Sequence, residues 1–178
     1  MLIECGGREF VDYIVDDPVR PNLFEDNFVR FSGNFRVYAD VDVVKNKVLV
    51  NAMVCVAICP FIPQSEEQLQ DYALGYMDKL LEDVKEIEKA HYGVTNINTI
   101  ICPYSLWSYK KGAGRKLINE LIEAIPILYP SVQKVITMSP PTKVAENFHL
   151  SNGARLLAAN RTTINYEYSL PKSKIVIH

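Results

Sequence analysis

The chain has 178 residues and a formal net charge of −2 at pH 7, with 48% of its residues hydrophobic and 22% charged. That length suits one domain with a real core, and the near-neutral balance excludes a general nucleic-acid footprint, which needs a basic surplus or stripe. Glu4, Arg8 and Glu9 interrupt any apolar stretch at the start, and no run reaches the ~20 apolar residues of a membrane helix, so a cytoplasmic protein without a signal peptide or membrane partner is expected.

In chain order, Glu9 to Val15 is compatible with a strand or a short helix, and Asp16 to Pro21 is a turn-rich break. Phe35 to Val43 alternates, with Phe35, Val37, Ala39, Val41 and Val43 on one side. Lys45-Asn46-Lys47 reads as a hairpin turn into a long apolar strand, Val48 to Cys59. Cys55 and Cys59 fall on one face of that strand. With Cys5 and Cys102 they read as buried reduced thiols, because His91, His149 and His178 are not grouped with them and no metal site is expected. Ser65-Glu66-Glu67-Gln68 is a capping-box pattern. It opens a long helix to about Tyr92, with an apolar stripe through Leu69, Ala73, Tyr76, Leu80, Val84, Ile87 and His91. Ile97 to Cys102 reads as a short strand, Gly112 to Ile125 as an amphipathic helix ended by Pro126, and Val132 to Met138 as a strand. Thr142 to Asn152 reads as a helix with Thr142 as N-cap and Gly153 at its C′ position. A hairpin of Ala154 to Ala159 and Thr163 to Leu170 closes the chain. The alternation predicts a single α/β domain over 1–178, with a central, mixed, mostly antiparallel sheet flanked by helices and an extra helix at about 65–92.

The segment most informative about function is Tyr109 to Leu117, YKKGAGRKL. Gly112 and Gly114 remove side chains where backbone must approach a ligand closely. The helix opening there offers unpaired N–H groups and a partial positive charge suited to a pyrophosphate. Lys110, Lys111 and Arg115 add cations. The spacing is not the Walker pattern, because no GK[ST] closes it.

Strand, then Tyr109-Lys110-Lys111-Gly112-Ala113-Gly114, then helix resembles the acetyl-CoA-binding segment [QR]xxGx[GA] of the GCN5-related N-acetyltransferases (GNAT), with Tyr109 in place of Gln or Arg. Ala145 followed by Phe148-His149-Leu150-Ser151-Asn152-Gly153 resembles the later helix of that family, with His149 where tyrosine is usual. Thr137-Met138-Ser139-Pro140 together with His149-Leu150-Ser151-Asn152-Gly153 is also similar to the acetyltransferase-like domain of malonyl-CoA decarboxylases. Those enzymes carry a Ser-Pro strand end and an HxxNG motif whose serine and histidine are given catalytic roles. Here nine residues separate Ser139 from His149, a shorter gap than theirs, and their preceding helical domain has no counterpart.

The resemblance implies a GNAT-like fold that binds acetyl-CoA or another acyl-CoA as substrate, with Tyr109, Lys110, Lys111, Gly112, Ala113, Gly114 and Arg115 at the carrier's phosphates. It places a backbone oxyanion donor near Ile101 or Cys102, and His149 and Ser139 become the candidate catalytic pair. Asp40 and Asp42 are candidate bases acting through water, since Ile97 to Cys102 carries no glutamate. Tyr166 and Tyr168 are expected in sheet packing or along the acceptor cleft, and Tyr104, Trp107 and Tyr109 beside the carrier or in the core. Three functions follow. The first is acyl transfer from CoA to a small-molecule or protein amine, the second a malonyl-CoA-decarboxylase-like reaction, and the third acyl-CoA or protein binding without turnover. Neither the acceptor nor the acyl chain is legible.

Overall fold

A computed structural model of the chain describes residues 1–73, Glu86 and residues 99–172. The described elements are β1 (Leu2–Glu4), α1 (Gly7–Ile14), a 3₁₀ turn (Asn27–Phe31), β2 (Phe35–Val44), β3 (Lys47–Cys59), α2 (Glu66–Ala73), β4 (Thr99–Ser108), α3 (Ala113–Leu128), β5 (Val132–Ser139), α4 (Lys143–Ser151), β6 (Arg155–Ala159) and β7 (Ile164–Tyr168). The strands form one seven-stranded sheet in the order β1-β2-β3-β4-β5-β7-β6. All neighbours are antiparallel except β4 and β5, whose parallel pairing spans the crossover helix α3.

Strand alternation sorts the core into two layers. Phe35, Val37, Ala39 and Val41 of β2 join Met53 and Cys55 of β3 beneath Phe10 and Ile14 of α1. Val54 and Val56 face the other way, onto Leu117, Ile118, Leu121 and Ile125 of α3. Burying each such leucine or isoleucine is worth roughly 1.5–3 kcal/mol, so this α3 stripe anchors the helix against the sheet. Glu9 to Val15, left open between strand and helix, is helical because Phe10 and Ile14, one turn apart, share a buried face. Cys5, Cys55, Cys59 and Cys102 are all buried and free.

Four boundaries differ from the sequence expectation. Lys45 and Asn46 both take positive φ, 49° and 62°, making a two-residue type I′ turn that releases Lys47 into β3 opposite Val44. The Ser65 hydroxyl caps α2 by accepting from Gln68 N at 3.2 Å, but the Gln68 amide accepts from Gln64 N at 2.9 Å, one residue earlier than a capping box requires. Pro126 does not stop α3, which runs to Leu128; the proline falls in the last turn, where Tyr129 N–H still closes on Ile125 O at 2.8 Å. β4 continues past Pro103 to Ser108, because the proline lies at a bulge. Ser105 pairs with Cys55 and Pro103 with Val56, leaving Tyr104 as the extra residue. The expected extra helix is described over Glu66–Ala73 and at Glu86; the rest of its stripe, from Tyr76 to His91, and the start of the predicted strand at Ile97 lie outside the described residues.

Candidate active site

β4 and β5 pair only from Thr99 to Ile101 against Val132 to Val135. Beyond that they part, and the gap holds a pocket of about 510 Å³. Pro103, Tyr104, Ser105 and Leu106 of the β4 bulge line one side, Ser139 and Pro140 at the end of β5 the other, and Ala145, Phe148 and His149 of α4 close it. Pro18 and Val19, from the turn-rich break after α1, supply a further wall. That wall is held from below. Asp17, fully buried, accepts from Val19 N at 2.8 Å and Arg20 N at 3.1 Å, and pairs with the fully buried Arg30 at 2.7 Å. Arg30 also donates to the Arg20 carbonyl at 2.6 Å, and Arg20 donates to the Tyr104 carbonyl. The turn-rich break after α1, to which the sequence assigned no role, thus builds part of the pocket.

Ser139 and His149 meet in this pocket. Thr142 caps α4 by accepting from Ala145 N at 3.2 Å, and Gly153 leaves the helix at φ 87°. Between these fixed ends His149 faces the sheet, 9% exposed, with its ring stacked on Tyr166 at 4.8 Å between centroids. His149 Nε2 lies 2.7 Å from Ser139 Oγ, and His149 Nδ1 lies 2.8 Å from the Tyr168 hydroxyl. Burial alone pushes the imidazole down to about 4. Burial likewise raises the Tyr168 phenol, with a smaller opposing effect of the Asn152 side chain. At neutral pH both rings are therefore uncharged. A proton on Nδ1, donated to the Tyr168 oxygen, would turn the Nε2 lone pair toward the serine hydroxyl, whose oxygen also lies 3.3 Å from Thr137 Oγ1. The side-chain nitrogen and oxygen of Asn152, in the HxxNG stretch, are buried without a hydrogen-bond partner among the described residues.

This histidine carries a pH signature. The unfolded chain protonates it below its ordinary value of 6.5, whereas the folded protein keeps it neutral down to about 4. Its contribution to stability is complete above pH 6.5 and is lost as pH falls through that window, amounting to roughly 3 kcal/mol. Urea denaturation at pH 7 and pH 4.5 is expected to show a larger acid loss for the wild type than for His149→Gln.

No residue from Tyr109 to Arg115 lines the pocket; the glycine turn meets its wall through Leu106, beside Gly114. Gly112 is the N-cap at φ 81° with no side-chain cap, so no protein side chain covers the opening N–H groups of α3 from that position. A Cβ on Gly114 would come within 3.0 Å of Leu106 Cδ2, so the small residue lets the helix approach a side chain that lines the pocket. Gly112→Ala meets open space but forces an L-residue into the left-handed region, with an expected loss of about 1–2 kcal/mol on urea denaturation. Ala113 N–H bonds to the Lys110 carbonyl at 3.0 Å. Lys110 Nζ sits 3.7 Å from Asp42, Arg115 donates to Ser151 Oγ at 3.0 Å, and Lys111 is exposed. The Tyr109 hydroxyl accepts from Trp107 Nε1 and donates to Asp16 Oδ2, each at 3.0 Å, which ties the turn to the segment after α1.

Other expected residues lie elsewhere. Ile101 and Cys102 are fully buried and do not line the pocket; the β4 residues that do begin at Pro103, at the bulge. Asp40 is turned inward, 3% exposed. Burial would raise its carboxyl, but hydrogen bonds from Lys116, the amino group of Met1 and Asn51 outweigh that and hold it down to about 2. Asp42 shares Asn51 with it at 3.0 Å. Neither aspartate lines the pocket, so neither is placed to act as its base. Ser105 went unnoticed in the sequence. It is 3% exposed on the pocket wall, and its hydroxyl has no protein partner. Reading the strand through Pro103 would have found it. Among the described residues no His/Cys/Asp/Glu group is arranged to hold a metal, and no helix is long and apolar enough to cross a membrane.

No protein-family model matches the chain, and no curated protein matches it in sequence. Solved structures do resemble it. Malonyl-CoA decarboxylase from Agrobacterium vitis superposes with a TM-score of 0.64 at 15% identity, covering 96% of this chain and 60% of that one. The enzyme of the same name from Cupriavidus metallidurans gives 0.59 at 13% identity, covering 94% and 60%. Arabidopsis thaliana NAA60 in complex with acetyl-CoA gives 0.56 at 13% identity, covering 94% of this chain and 95% of that one. The chain spans about 60% of the length of the two decarboxylases. Its fold is GNAT-like, a mixed sheet flanked by helices, as the sequence resemblance implied.

Proposed function

We propose that this chain is an acyl-CoA-dependent acyltransferase, with the thioester lying where β4 and β5 part and an amine as the acceptor. The observation that carries it is the contact of Ser139 with His149 at 2.7 Å inside a pocket whose Leu106 wall touches the glycine turn. The turn would take the carrier's diphosphate on the opening amides of α3, with Lys111 and Arg115 beside it. The amine nitrogen attacks the thioester carbonyl. Its surplus proton passes to Ser139 Oγ as the serine proton moves to His149 Nε2, and the pair returns a proton to the departing thiolate. Carbon–nitrogen bond formation and carbon–sulfur cleavage leave an amide and free CoA. Ser105 adds an unpaired hydroxyl to the wall of the pocket.

A second reading is favoured by one specific observation: no carboxylate, lysine or arginine is among the described residues lining this pocket. A malonyl carboxylate stripped of water there, without a cation to hold it, would lose carbon dioxide more readily. The electrons of the broken carbon–carbon bond pass to the thioester enolate, which takes a proton on carbon to give acetyl-CoA.

Calorimetric titration with CoA, thiol release from acetyl-CoA with and without amines, and carbon dioxide release from malonyl-CoA separate these outcomes. Amine-dependent thiol release supports acyl transfer. Carbon dioxide without thiol supports decarboxylation. Binding with neither reaction leaves a carrier-binding module, and no CoA binding at millimolar concentration sinks all three.

A further inference from the structure

Beyond Val19 and Pro140 the pocket adjoins a second cavity of about 520 Å³ that shares both residues with it. Its walls are the connection from β3 into α2 and the connection from β6 to β7. They are fixed to one another: Thr163 Oγ1 donates to the Gln64 carbonyl at 2.6 Å, and Asn165 Nδ2 donates to the Pro63 carbonyl at 3.0 Å. The lining differs from that of the first pocket, because it carries both signs of charge in Arg20, Arg161, Glu66 and Glu67.

The Arg20 guanidinium is 2% exposed, and its Nε lies 3.0 Å from Glu66 Oε1, off the line of any hydrogen bond. Glu66 keeps 52% of its side chain open, and Glu67 and Arg161 are exposed. A cavity shaped for a polyamine would present carboxylates without cations, and one for a nucleotide phosphate the reverse. Both signs in one cavity match a ligand that carries both.

We propose that this second cavity is the acceptor site, and that the acceptor is a diamino acid, which bears a carboxylate, an ammonium to be held and a second amine to react. The proposal rests on the acyltransferase reading above. Arg161 takes the carboxylate, Glu67 and the open side of Glu66 hold one ammonium, and the other amine reaches the thioester past Pro140, the neighbour of Ser139.

Matched acceptors test it. With acetyl-CoA as donor, lysine is expected to exceed cadaverine, the same diamine without the carboxylate, by about tenfold or more in kcat/KM, as one charge-assisted contact requires. Arg161→Ala, at an exposed position, should raise KM for lysine until that preference is gone, with kcat little changed. Calorimetry in the presence of CoA should show lysine binding and its weakening in the variant. Cadaverine used as well as lysine, or an Arg161→Ala enzyme that keeps the preference, overturns the proposal. Acetyl-CoA binding with transfer to neither amine overturns it while sparing carrier binding, whereas no acetyl-CoA binding removes the reading beneath it.

Discussion

His149→Ala is expected to lower turnover about 10²–10⁴-fold, the range for a positioned acid–base group, while acetyl-CoA affinity stays close to that of the wild type. The separation follows from position. His149 closes the pocket from α4 and touches Ser139, whereas the carrier's phosphates would sit at Gly112 to Arg115, on a different helix. Tyr168→Phe supplies the internal control, because it removes only the hydroxyl 2.8 Å from His149 Nδ1. A smaller loss with a shifted pH profile is the mark of an orienting partner. Steady-state kinetics beside calorimetric titration decide the matter: equal losses of binding and turnover in His149→Ala would mean that the residue merely holds the pocket together.

Arg30→Met should destabilise the protein by about 3–5 kcal/mol, because it strands a buried carboxylate. Both side chains of the Asp17–Arg30 pair are fully buried, so water cannot take over the lost partner. Asp17 still has the amides of Val19 and Arg20, which places the loss below that of a bare charge. Urea denaturation reads the stability, and the double variant Asp17→Asn with Arg30→Met should recover much of it. Since the same pair fixes Pro18 and Val19, a softened pocket wall should accompany the lower midpoint and appear as weaker acyl-CoA binding. Full stability in Arg30→Met would mean that the buried ion pair makes no net contribution.

The elements with a strong period were legible from residues alone. The β2–β3 hairpin, the α3 stripe and the capped α4 all follow from alternation, three-and-four spacing and cap chemistry, which act locally. What local rules could not show is what depends on distant partners. Pro103 looks like a strand end until its bulge against β3 is known. Asp40 reads as surface on a polar face, yet Lys116 from α3 and the first residue's amino group draw it inside. Of the site, Ser139 and His149 were singled out by resemblance, and the structure brings them into contact. Tyr168, expected in sheet packing or along the acceptor cleft, meets the histidine, since its phenol reaches across from β7. The walls supplied by Pro18 and Val19 had no local signature, because their position is set by a buried ion pair whose members lie thirteen residues apart.

A sheet that forks carries more free edge than its count of strands suggests. Past Ile101, β4 and β5 each present an inner margin, and exposed margins of that kind invite foreign strands and aggregation. Here a proline stands on each branch, Pro103 on one and Pro140 just beyond the other, and neither has an N–H to offer an intruder. The opening proposed to admit a substrate is by the same chemistry poorly suited to templating β-structure.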